Sequence, residues 1–120
     1  MKRFLIALVV VTLAFLGGYL PLKLESNRLE EQYRLARLHR LLGVTLIEVQ
    51  LGNFGVARER SAAFFKAVAE TAGAVSGRNE ERLNALSEKR DEITSDLTAL
   101  RPEVAGKLRA MFLELPDPDR

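Results

Sequence analysis

Arg28-Leu-Glu-Glu-Gln-Tyr-Arg-Leu-Ala-Arg-Leu-His-Arg-Leu-Leu-Gly-Val-Thr-Leu-Ile-Glu-Val-Gln-Leu51 is the stretch that makes this chain helical. At about 100° per residue, Leu29, Tyr33, Val44, Ile47 and Leu51 fall on one side, and Leu35, Leu38, Leu42, Leu46 and Val49 on another. Glu30, Arg34, Arg37 and Glu48 occupy the wedge between them. Two apolar stripes on one helix predict two packing neighbours, which makes this the central member of a bundle. Ser26 or Asn27 is placed to cap it, with Glu30 completing a capping-box pattern after Asn27.

Toward the C-terminus, Gly52-Asn53 is the clearest turn, since both residues tolerate the left-handed conformation that ends a helix. Phe54, Ala57, Ser61, Phe64, Phe65, Val68 and Ala72 then recur at three- and four-residue spacing, so the pair reads as an antiparallel helical hairpin. Gly73 to Gly77 is the next break, and Asn79 with Glu80 and Glu81 behind it suits a helix start. Leu83, Leu86, Arg90, Ile93, Leu97 and Leu100 form a narrow heptad seam interrupted by one arginine, a candidate interaction seam. An Arg at a seam position either fixes register or lays its stem along the seam while its head reaches water or an acid. Pro102 is placed to open a last helix carrying Val104, Ala105, Leu108, Phe112 and Leu115. The expected helices therefore cover about 26–51, 54–72, 79–100 and 102–114, within a bundle spanning 25–115, and residues 116–120 are read as a flexible tail.

Two short stretches resemble known signatures. Gly43-Val-Thr-Leu-Ile-Glu-Val49 resembles the processing signature of type IV prepilins, which would open a hydrophobic membrane helix. Here it is followed by Gln50, Gly52, Asn53, Arg58, Glu59 and Arg60, which cannot cross a bilayer. Leu51-Gly-Asn-Phe-Gly-Val-Ala57 is similar to the middle of a tetratricopeptide repeat, although the later small residue of that repeat falls on Phe64 and no second copy follows.

Toward the N-terminus, Phe4 to Leu22 runs nineteen residues without a charge between Lys2-Arg3 and Lys23. As a helix it reaches ~28 Å, just enough to span a bilayer core of ~30 Å. Phe4, Leu5, Ile6, Leu8, Val9, Val10, Val11, Leu13, Phe15, Leu16, Tyr19 and Leu20 are its candidate membrane-anchoring residues. No good small-residue cleavage pattern follows the run, so an uncleaved signal anchor over 1–24 is the favoured reading and a cleaved signal peptide on an exported soluble protein the remote one. The positive charges ahead of the segment keep the N-terminus cytoplasmic, which puts the rest on the periplasmic or extracytoplasmic side of the cell's inner membrane.

Lys2 and Arg3 account for the whole formal charge of +2, because sixteen basic residues and sixteen acids share the remainder. A charge-balanced body argues against nucleic acid as a partner. The chain has no cysteine and one histidine, His39, so the usual metal-ligand sets and thiol chemistry are excluded, and no cofactor is expected. Glu30-Glu31, Glu80-Glu81 and Asp91-Glu92 are adjacent pairs pointing about 100° apart on a helix, which makes them solubilising rather than acid–base dyads. The fold expected is all-α: a single N-terminal transmembrane helix followed by an antiparallel hairpin within a three- to four-helix bundle. The function expected is a non-enzymatic, membrane-anchored interaction or scaffold module, possible as an accessory subunit of an envelope complex. Its partners are the lipid bilayer and either another protein or itself. The alternative is a ligand-sensing or ligand-carrying bundle with its ligand near Phe54, Phe64 and Phe65.

Overall fold

The computed structural model describes residues 28–118, and every regular element among them is a helix. They are α1 (28–50), α2 (Phe54–Ala74), α3 (Arg78–Ser87), α4 (Arg90–Thr98) and α5 (Val104–Glu114). The expected cap at Ser26 or Asn27 and all the membrane-anchoring residues lie outside the described residues.

α1 ends as its sequence demands. Gly52 adopts φ 79°, its N–H donates to Val49 O at 3.0 Å, and the N–H of Asn53 donates to Glu48 O at 2.8 Å. This is the paired 5→2 and 6→1 pattern of a Schellman motif, with glycine at the left-handed position. The usual apolar contact across such a motif is replaced by a hydrogen bond from Asn53 Nδ2 to Glu48 Oε2 at 3.0 Å.

The buried face of α2 shows why this helix can sit inside the bundle. Ala57 and Ser61 are small and admit a close neighbour, whereas Phe64, Phe65 and Val68 fill the centre. The rings of Phe64 and Phe65 meet edge to face with centroids 5.1 Å apart, a favourable quadrupolar arrangement. α2 packs against α3 and α4, and α5 against both of these as well.

The helix expected over 79–100 is two helices. Glu88 and Lys89 keep right-handed backbone angles but tighten the path, with Lys89 N–H donating to Leu86 O at 3.0 Å. Ser87 Oγ caps the end of α3 by donating to Asn84 O at 2.7 Å. Because the backbone never leaves the helical region, Leu83, Leu86, Ile93 and Leu97 still arrive on one face, and all four are buried.

α5 starts later than Pro102. Val104, Ala105 and Gly106 donate three residues back, to Arg101, Pro102 and Glu103, so proline sits in a tight lead-in turn. Val104, Leu108, Met111 and Leu115 face the core, and Met111 rather than Phe112 is the residue fully buried.

Candidate protein-docking surface

The inner side of α1 is fixed by what it buries. Leu35, Leu38, Leu42 and Val49 belong to the common core, and Thr45 beside them donates its hydroxyl to Leu41 O at 2.9 Å, so no polar atom is stranded there. Fully burying one such leucine stabilises by roughly 1.5–3 kcal/mol relative to exposure. That stripe holds α1 in place.

Two polar ties fix the rotation of α1 about its axis. His39 Nε2 lies 3.1 Å from Pro116 O, and its ring meets Phe112 edge-on at 5.1 Å. Asn79, expected to start α3, instead donates its side-chain amide to Glu31 Oε1 at 3.2 Å, while Gly77 with φ 72° makes the turn. Leu115 and Pro116 are buried beneath this corner, so the start of the expected flexible tail is packed.

With α1 locked in this way, its second apolar stripe is left outside. Tyr33 is 66% exposed, Ile47 53% and Leu51 68%, with Val44 half-buried between them. Leu29 is exposed as well. α1 does meet more than one neighbour, α3 at Glu31 and α5 at His39, but from its inner side, and among the described residues nothing covers the second stripe. The described residues shelter only its inner side, where Leu35, Leu38, Leu42 and Val49 are buried. Arg40 stands in the middle of this outer face, exposed, eight residues before Glu48 at its flank. Neither Arg37 nor Arg40 forms an ion pair among the described residues.

The proposed seam is placed differently. Leu83, Leu86, Ile93 and Leu97 lie in the core of the chain's own fold, and only Arg90 and Leu100 reach the surface. Arg90 points outward with its nearest acid, Asp91, at 3.5 Å, so it interrupts the seam in sequence without entering it in space. Leu100 is exposed because its backbone is left-handed, with φ 57°, directly after α4.

One charged cluster escaped the sequence reading. Asp96 is nearly inaccessible, with its side chain 3% exposed, and it accepts from Lys107 Nζ at 2.6 Å and Arg101 Nη1 at 3.2 Å. Lys107 also holds Glu92 at 2.7 Å. The hydrogen bond from Lys107 is the main reason that the Asp96 carboxyl is held below its ordinary range, against the opposing push of burial. The same bond, with that to Glu92, raises the Lys107 ammonium. Glu92 and Asp96 are one helical turn apart on α4, and that spacing was the available signal.

The described residues line shallow, open hollows. One of about 410 Å³ is lined by His39, Asn79, Arg82, Phe112, Leu113, Leu115 and Asp117. Its neighbour, of about 490 Å³, shares Arg82 and Leu113, the latter 89% exposed. Of Phe54, Phe64 and Phe65, near which a ligand was expected in the alternative reading, the last two are buried against each other, Phe54 is half-buried, and none lines either hollow. Among the described residues no group of three or more His, Asp or Glu is placed to hold a metal ion, and no helix is long and apolar enough to cross a membrane. Comparison of the chain with family models, with curated proteins and with solved structures finds no match.

Proposed function

We propose that this chain is a non-enzymatic docking module, an antiparallel helical bundle fastened to the inner membrane by its N-terminal apolar segment and presenting α1 to a helical protein partner on the extracytoplasmic side. The observation that carries the reading is the outer stripe of α1, where Tyr33, Ile47 and Leu51 are more than half exposed although they repeat at helical spacing. Scattered apolar residues on a surface are ordinary, but a stripe along one helix is the geometry a partner helix reads. Phe4 to Leu22, uncharged over a bilayer's width, supports the tether.

The test is photocrosslinking in intact cells, with a photoreactive residue at Ile47 and, as control, at Ala62, which is exposed on α2. A discrete protein adduct from position 47 and none from 62, in the membrane fraction, is the expected result. Adducts from both sites equally, from neither, or to lipid alone would remove the docking role.

A further inference from the structure

We infer that the outer face of α1 pairs with a second copy of this chain, the two α1 helices running antiparallel about a two-fold axis at Val44. The inference rests on the docking role above and names its occupant. Its warrant is charge complementarity. Arg40 occupies the centre of the outer face without an ion pair among the described residues, and Glu48 stands at the flank of the same face, half-buried. Eight residues of helix are ~12 Å, so each of the two lies ~6 Å from Val44, on opposite sides of it. In an antiparallel pair Arg40 is level with Glu48 of the partner subunit, and symmetry repeats the contact at the other end.

Glu48 is prepared for this role. Its Oε2 already accepts from Asn53 Nδ2, which holds the carboxylate at the helix end and leaves Oε1 to accept a guanidinium. Arg37 and Leu51 are likewise equidistant from Val44, seven residues on either side. Each exposed leucine therefore meets the aliphatic stem of the partner's Arg37, and Ile47 meets that of the partner's Arg40. An in-register parallel pair offers the reverse, because Arg40 then faces the partner's Arg40 with no acid at its level. An anionic lipid surface suits Arg37 and Arg40 but not a carboxylate on the same face.

The natural lack of cysteine makes each introduced thiol unique. Full chain in mild detergent carries Val44→Cys, Arg37→Cys or Leu51→Cys in turn. The expected result is that V44C forms a disulfide dimer alone, whereas R37C and L51C form one only when the two preparations are mixed. Efficient crosslinking of R37C alone and L51C alone would mean a parallel pair and overturn the inference. So would failure of all three with a monomeric chain in sedimentation. Independently, R40E or E48R weakens association about tenfold, as loss of both reciprocal pairs predicts, and the double variant R40E/E48R restores it. Unchanged association in both single variants would also overturn the inference, and circular dichroism separates lost pairing from lost fold. If the chain is monomeric while Ile47 crosslinks to a different protein, only the second copy is excluded. If Ile47 crosslinks to nothing, the docking role falls with it.

Discussion

Leu100 does for α4 what Gly52 does for α1, without the residue type that makes it easy. Its N–H donates to Leu97 O at 3.2 Å and that of Arg101 to Asp96 O at 2.9 Å, the same paired pattern as after α1. The contact across the motif is again polar, here the Arg101–Asp96 ion pair. A leucine at φ 57° carries a steric cost that glycine lacks, and its exposed side chain recovers little. Leu100→Gly is therefore expected to raise stability by ~0.5–1 kcal/mol, seen as a higher denaturant midpoint. An unchanged or lower midpoint would show that the left-handed leucine costs less than the backbone freedom glycine adds to the unfolded chain. Ser61 is the second residue at odds with its surroundings, buried with a hydroxyl that has no hydrogen-bond partner among the described residues. Ser61→Ala removes that group and improves helix propensity, for an expected gain of ~1 kcal/mol in urea unfolding. Gly52-Asn53 was legible in the sequence because both residues favour left-handed backbone. Leu100 was not, since nothing in a leucine announces that conformation, and a hydroxyl's lack of a partner is visible only once its neighbours are placed.

At the scale of the helix, α4 is held to α5 by the single ammonium of Lys107 reaching two acids one turn apart. Asp96 binds its proton less readily in the fold than in the unfolded chain, so the unfolded state takes up protons first as the solution is acidified. Its contribution is complete above its ordinary value of 3.8 and is lost as pH falls through its lower folded value. Lys107 is shifted the other way, and its contribution is complete below its ordinary 10.5 and lost only as pH rises beyond that. Asp96→Asn is expected to lower the melting temperature at neutral pH and to flatten its fall as the solution is acidified below about pH 4. Parallel curves for the two proteins would exclude Asp96 as the titrating group. The apolar spacing from Leu83 to Leu97 gave the right buried residues for α3 and α4 but not the break between them. Glu88 and Lys89 carry no glycine or proline, and both keep helical angles, so the periodicity passes through the turn unbroken. The same limit hid the fate of the α1 stripes: amphipathicity says that a face is apolar, not whether anything in the same chain covers it.

For the whole molecule, the described bundle is closed by its two sequence extremes. Leu115 and Pro116 are buried at the corner where His39 and Phe112 meet, the bonded pair His39 and Pro116 standing 77 positions apart in the sequence. A chain ending at Glu114 loses the burial of one leucine and one proline and leaves His39 without that acceptor. Its expected cost is ~2–3 kcal/mol, read as a reduced urea midpoint, and a midpoint equal to that of the full chain would show the corner to be ornamental. That closure also sets an order of events during synthesis. α1 is made before α5, yet its side at His39 and Gly43 is covered only once Phe112 and Pro116 have emerged. A nascent chain interrupted before then exposes greasy helix on both sides at once, which is when it is most open to aggregation and most in need of a chaperone.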